Sequence, residues 1–110
     1  MILSRTEQQI ADYLRDNMGL EDEDIRELLD MLQDSTVTHL DRAEQQLAQK
    51  DWEGLTRTGH SIKGSAANLG AVALSEAGKS LEFAAKEQNC SACDVAIKAV
   101  KTALNKLTGS

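Results

Sequence analysis

Not one proline interrupts the 110 residues of this chain. Proline fixes the backbone and removes a hydrogen-bond donor, and it marks turns, sheet edges and helix ends. A β-sandwich or barrel of this length needs many turns and draws heavily on aromatic strand residues. Here the aromatics number three, Tyr13, Trp52 and Phe83. Apolar residues make up 41% of the chain, too many for a disordered segment. An all-α fold in one domain spanning residues 1–110 is expected.

The apolar residues recur at helical steps throughout. Ser4 and Glu7 have the spacing of a capping box. The helix behind them places Ile10, Tyr13, Leu14 and Met18 on one side and stops near Gly19. The acidic run Glu21–Asp24 suits a helix N-terminus, where the dipole favours negative charge. It opens a long helix with the stripe Ile25, Leu28, Leu29, Leu32, Thr36, His39, Leu40, Ala43, Leu47, ending around Lys50. Asp51 caps a third helix whose seam is Trp52, Leu55, Gly59, Ile62, Ala66, Leu69, closed by Gly70. A fourth carries Leu74, Ala77, Gly78, Leu81, Ala84 and Ala85, and a fifth Cys93, Ala96, Ile97, Val100, Ala103, Leu104 and Leu107. Connections this short make sequential helices antiparallel neighbours. The expected architecture is an antiparallel four-helix bundle with a short additional N-terminal helix.

Charge is distributed unevenly. Residues 1–55 hold five basic and fourteen acidic side chains, and residues 56–110 hold seven and four, so a net charge of −6 conceals a positive C-terminal half. An acidic chain with a calculated isoelectric point near 4.8 is not expected to bind nucleic acid. No run approaches the roughly 20 apolar residues of a membrane span. The N-terminus lacks a signal peptide's apolar run. A cytoplasmic location is expected.

His60 stands apart from the seam of its helix. At about 100° per residue it shares another face with Thr56, Lys63, Gly64 and Ala67. A lone helical histidine is ordinarily a surface or boundary residue, and lysine three positions on is common. Glycine one turn later, inside a helix, is less common, because it costs about 1 kcal/mol relative to alanine. Such a glycine removes side-chain volume, so that another molecule can approach the ring. An exposed imidazole beside an ammonium on a bare surface suits an anion, most naturally a phosphoryl group.

The run His60-Ser61-Ile62-Lys63-Gly64-Ser65-Ala66-Ala67-Asn68-Leu69-Gly70-Ala71 resembles the signature of histidine-containing phosphotransfer (HPt) domains. That signature is His-x-x-Lys-Gly followed by small residues and a glycine. Leu74 and the Leu81-Glu82 pair resemble the next helix of the family. The resemblance is strong at residue level from about Thr58 to Glu82 and covers the whole chain in architecture. It implies a phosphohistidine carrier of a two-component phosphorelay, of the kind used in bacterial signalling. His60 would accept a phosphoryl group, on Nε2, from the aspartyl phosphate of a response-regulator receiver domain and pass it to another receiver. Lys63 would neutralise charge on the phosphoryl oxygens and Gly64 would admit the partner. Thr56, Arg57, Ala67 and Asn68 would border the docking surface. The chain would need no cofactor, Mg²⁺ being carried by the partner receiver. Its partners would be receiver domains or a hybrid sensor histidine kinase, and it would act as a monomer to keep that face free.

No glycine-rich nucleotide loop or kinase motif is present, so ATP-dependent kinase activity is not expected. No residue following His60 looks like a base for activating water. The alternative function is a helical adaptor that binds the same partners without being phosphorylated. His39 lies on the apolar stripe of its helix, followed by Arg42 and Ala43 instead of lysine and glycine, and reads as a boundary residue. Cys90 and Cys93 form Cys-x-x-Cys without a strand–helix thioredoxin context, and with too few partners for a zinc site. They read as incidental to phosphotransfer, with a redox disulfide as the alternative.

Overall fold

The structure, a computed structural model, describes residues 3–108. Five helices follow in order: α1 (Arg5–Met18), α2 (Asp22–Gln49), α3 (Trp52–Asn68), α4 (Val72–Lys86) and α5 (Cys90–Thr108). Local chemistry sets most of their ends. The Ser4 side chain accepts from the Glu7 backbone N–H while the Glu7 carboxylate accepts from that of Ser4, both at 3.1 Å. Gly19 terminates α1 in the left-handed conformation. Asp51 Oδ1 accepts from the Gly54 N–H at 3.0 Å to start α3. Lys50 ends α2 at φ 55° without being a glycine, its N–H bonded back to carbonyls of the last turn.

Helices α2 to α5 form a closed ring in which each packs on its two neighbours, and α1 lies against α2 and α5. The register is antiparallel. Thr58 of α3 bonds to Gln46 of α2, whereas Leu69 at the other end of α3 shares a cleft with Leu32. Gly59 of α3 meets Gly78 and Glu82, and Lys63 meets Gly78 and Ser75. The bundle is thus the expected all-α arrangement, with α1 as the additional helix. At about 1.5 Å per residue the 28 residues of α2 measure about 42 Å, the longest dimension of the molecule at 42 Å.

The long α2 explains α1. The residues of α2 before Leu28 run on past the end of α3, and Ile25 there is nevertheless fully buried, as is Leu29 one turn later. Ile10, Ala11 and Leu14 of α1 are buried too, and cover this overhang together with α5. Each isoleucine or leucine so buried contributes about 1.5–3 kcal/mol. Glu7 adds a polar tether: buried in its cap position, it pairs with Arg26 of α2 at 3.4 Å. Tyr13 and Met18, expected on the buried side of α1, are 37% and 52% exposed. The buried strip of α1 is Glu7, Ile10, Ala11 and Leu14; Tyr13 lies beside it with its ring against Gly70, and Met18 in the last turn overhangs the edge. Phe83 and Val95 also face outward, on α4 and α5.

Candidate functional site

Two glycines bring α3 and α4 into backbone contact. A Cβ on Gly59 would lie 2.5 Å from the Glu82 backbone nitrogen, and one on Gly78 would lie 2.6 Å from that of Lys63. No larger residue fits at either position. The Ser75 hydroxyl, donating to the Lys63 carbonyl at 3.0 Å, adds a polar link between the helices. This approach places the side chain of Glu82 beside the outer face of α3.

His60 is exposed there, its side chain 66% accessible. Its Nδ1 lies 2.9 Å from Glu82 Oε2, and Lys63 Nζ donates to Glu82 Oε1 at 2.9 Å. Lys86, one turn along α4, reaches to 3.9 Å of Oε2. The Lys63 ammonium, with help from the His60 ring, holds the Glu82 carboxyl below the usual carboxylate range, against the opposing effect of its burial. An ionised carboxylate only accepts hydrogen bonds, so Nδ1 must carry the proton. In the neutral ring Nε2 is then the nitrogen with the free lone pair. One carboxylate thus orients the imidazole and sets its tautomer, while two ammonium groups leave a net positive charge around it.

Gly64 behaves differently from the other two glycines. A Cβ built on it meets nothing within 4 Å. Packing inside the chain does not require glycine there, and the mid-helix cost of about 1 kcal/mol stands without a structural return. Beyond it the surface opens toward α2. Arg42 and Gln46 of α2 and Arg57 and Ser61 of α3 line a polar cleft of about 300 Å³. Farther along, Leu28, Met31 and Ser35 face Ser65 and Asn68 across a cleft of about 330 Å³. Met31 is 59% exposed.

His60, Lys63 and Gly64 therefore share one outer face, as their spacing predicts. Lys63 is bound to Glu82 in this arrangement. Of the expected bordering residues, Arg57, Ala67 and Asn68 are exposed, and Arg57 pairs with Glu53 at 3.1 Å. Thr56 is half-buried, its hydroxyl donating to the Trp52 carbonyl at 2.7 Å. His39 is half-buried, and burial together with the Arg42 charge pushes its pKa down.

Sequence reasoning missed the part played by Glu82. No base follows His60 in sequence, yet a carboxylate sits against its ring in space. The available signal was a pair of facing glycines, Gly59 and Gly78, with Glu82 one turn beyond the second. Arg42 and Met31 were also missed, because only the register of α2 against α3 brings them to this face.

Comparison with curated proteins and with solved structures returns no match. A family model described as Hpt domain matches residues 27–109. The matched span runs from the body of α2 through α5, leaving α1 outside it. It covers most of the chain, which accordingly belongs to the Hpt domain family, the phosphotransfer modules of two-component signalling.

Proposed function

We propose that this chain is a phosphorelay carrier in which His60 accepts a phosphoryl group on Nε2 and gives it up to a second acceptor. The observation that carries this reading is the His60–Glu82 hydrogen bond beside the bare backbone of Gly64. The donor is the aspartyl phosphate of a receiver domain. The Nε2 lone pair attacks phosphorus, the bond from phosphorus to the aspartyl oxygen breaks, and the carboxylate stays with the receiver. No proton has to leave Nε2, because the ring proton already resides on Nδ1. Such a transfer depends mainly on positioning and charge neutralisation. Glu82 positions the ring and stabilises the positive charge that the ring acquires. Lys63, turning from Glu82, offsets charge on the phosphoryl oxygens, and Lys86 remains as a second cation for Glu82. Mg²⁺ belongs to the partner.

Reversal follows the same path toward a second receiver, so the chain carries the group without an ATP-dependent kinase activity of its own. Its partners are receiver domains or a hybrid sensor histidine kinase, docking over Gly64 with Arg57, Ala67 and Asn68 at the border. We place it in the cytoplasm as a monomer and a single domain.

The test is incubation with a receiver domain carrying labelled phosphate, followed by acid and base treatment of the recovered chain. Acid-labile, base-stable label is expected on the wild type and none on His60→Gln. Label retained by His60→Gln contradicts the reading. Tight receiver binding without any transfer would favour the adaptor function instead.

A further inference from the structure

The phosphotransfer reading leaves unused a pair of thiols in the first turn of α5. Cys90 and Cys93 are both free, Cys90 exposed and Cys93 completely buried. The helix begins at Cys90. Its first backbone hydrogen bond runs from the Cys93 N–H to the Asn89 carbonyl at 2.9 Å, and Asn89 Oδ1 accepts from the Ala92 N–H at 3.0 Å.

Helix geometry places Cα atoms three residues apart about 5 Å from each other. That lies inside the window of about 4.4–6.8 Å that a disulfide spans. In a regular turn the Cβ atoms stand about 5–6 Å apart, wider than the roughly 3.5–4.5 Å a disulfide requires. The turn must tighten, and a first turn is where it can. Cys90 and Ser91 precede the first intrahelical bond, so their N–H groups are not tied into the helix. The two thiols also differ in access, which fixes an order of events. Only Cys90 meets solvent, and burial pushes the Cys93 thiol up, with Cys90 as a smaller contributor.

We propose that Cys90 and Cys93 form a reversible dithiol–disulfide couple, with Cys90 as the entry thiol toward small disulfides and Cys93 as the resolving thiol. Cys90 gives its proton to solvent, and its thiolate attacks one sulfur of a disulfide RSSR. The S–S bond breaks, and the departing thiolate takes up a proton as RSH. Cys93 then loses its proton, and its sulfur attacks Cys90 Sγ. The bond from Cys90 to the R-bearing sulfur breaks, and a second RSH leaves. Two electrons pass from the protein dithiol to RSSR, one protein disulfide forms, and two RSH molecules are released. No residue of the His60 site takes part, so this inference stands or falls independently of the phosphotransfer reading.

The probe is oxidised glutathione. The reduced full chain is equilibrated with it in native buffer and analysed by intact mass and by the tryptic peptide 87–98, which holds both cysteines. The wild type is expected to lose two hydrogens, to retain no glutathione and to recover its mass with dithiothreitol. Cys93→Ala is expected to accumulate one glutathione on Cys90, and Cys90→Ser, altered only at an exposed position, to take up none. A wild-type chain that stays a dithiol, or that keeps one glutathione without closing the disulfide, overturns the proposal. So does closure seen only after unfolding in guanidinium. If Cys93→Ala fails to fold by circular dichroism, the wild type and Cys90→Ser decide the question.

Discussion

On its α4 flank, α3 is packed until the two backbones touch: Gly59 and Gly78 leave no room for a methyl group, and Glu82 reaches His60 and Lys63 from the side. Away from α4 the same helix stands open: Gly64 on its outer face meets nothing within 4 Å, and two clefts lie between α3 and α2. Both flanks use glycine, for opposite reasons. Glycine at Gly59 is demanded from inside the protein, by a helix that must come close. Glycine at Gly64 is demanded by nothing inside the protein, which points to a requirement outside it. On the function proposed above, the closed flank arranges the imidazole and the open side would receive the molecule that reacts with it.

This contrast can be broken by substitution. The largest effect is expected at Gly59. Gly59→Leu forces α3 and α4 apart and should lower stability by about 3 kcal/mol, as overpacking does; denaturant unfolding measures it, and an unchanged midpoint would show the helices are not locked there. Gly64→Leu should unfold normally yet lose receiver-driven transfer by about a hundredfold, the equivalent of about 2–3 kcal/mol of misfit at a docking surface. Phosphorylation of the same variant by a small donor such as phosphoramidate should be nearly unaffected. Equal loss with both donors would mean that Gly64 serves the histidine and not the partner.

Glu82→Gln keeps an acceptor near Nδ1 but removes its charge. Transfer should slow by about tenfold with either donor, because a charge-assisted hydrogen bond becomes a neutral one. The pH dependence supplies a second check. Glu82 has its pKa depressed in the folded chain, so its bridge adds stability above the ordinary value of 4.5 and loses it as pH falls below. The stability advantage of the wild type over Glu82→Gln should therefore narrow as pH falls below about 4.5. The smallest effect is expected at Arg42, on the open flank. Arg42→Glu should weaken receiver-driven transfer by about fivefold at low salt, less at high salt, and leave the small-donor reaction unchanged.

The sequence made the local features legible and left the relational ones dark. The cap at Ser4 and Glu7, the stop at Gly19 and the start at Asp51 depend on neighbours within a few residues, and all three appear where expected. The outer face of α3 is legible for the same reason, since periodicity alone joins His60, Lys63 and Gly64. Lys50 and Gln88 adopt left-handed conformations that their residue types do not announce; each closes its helix with paired backbone hydrogen bonds, from Lys50 to Leu47 and Asp51 to Gln46, and from Gln88 to Ala85 and Asn89 to Ala84. Tyr13 and Met18 are apolar residues on an apolar helix side, but how far α1 is covered depends on the overhang of α2. Glu82 and Arg42 join the site from other helices, and their positions follow from register, which a single strand of letters does not contain.

The chemistry of the site turns on a single proton. If Glu82 holds the proton on Nδ1, phosphorylation must occur on Nε2. Nitrogen-15 and phosphorus-31 NMR of the chain labelled at histidine and phosphorylated by a receiver distinguishes the two nitrogens. Phosphorus coupled to Nε2 of His60 is expected, with Nδ1 still protonated and its resonance displaced in Glu82→Gln. Phosphorus on Nδ1 would contradict it.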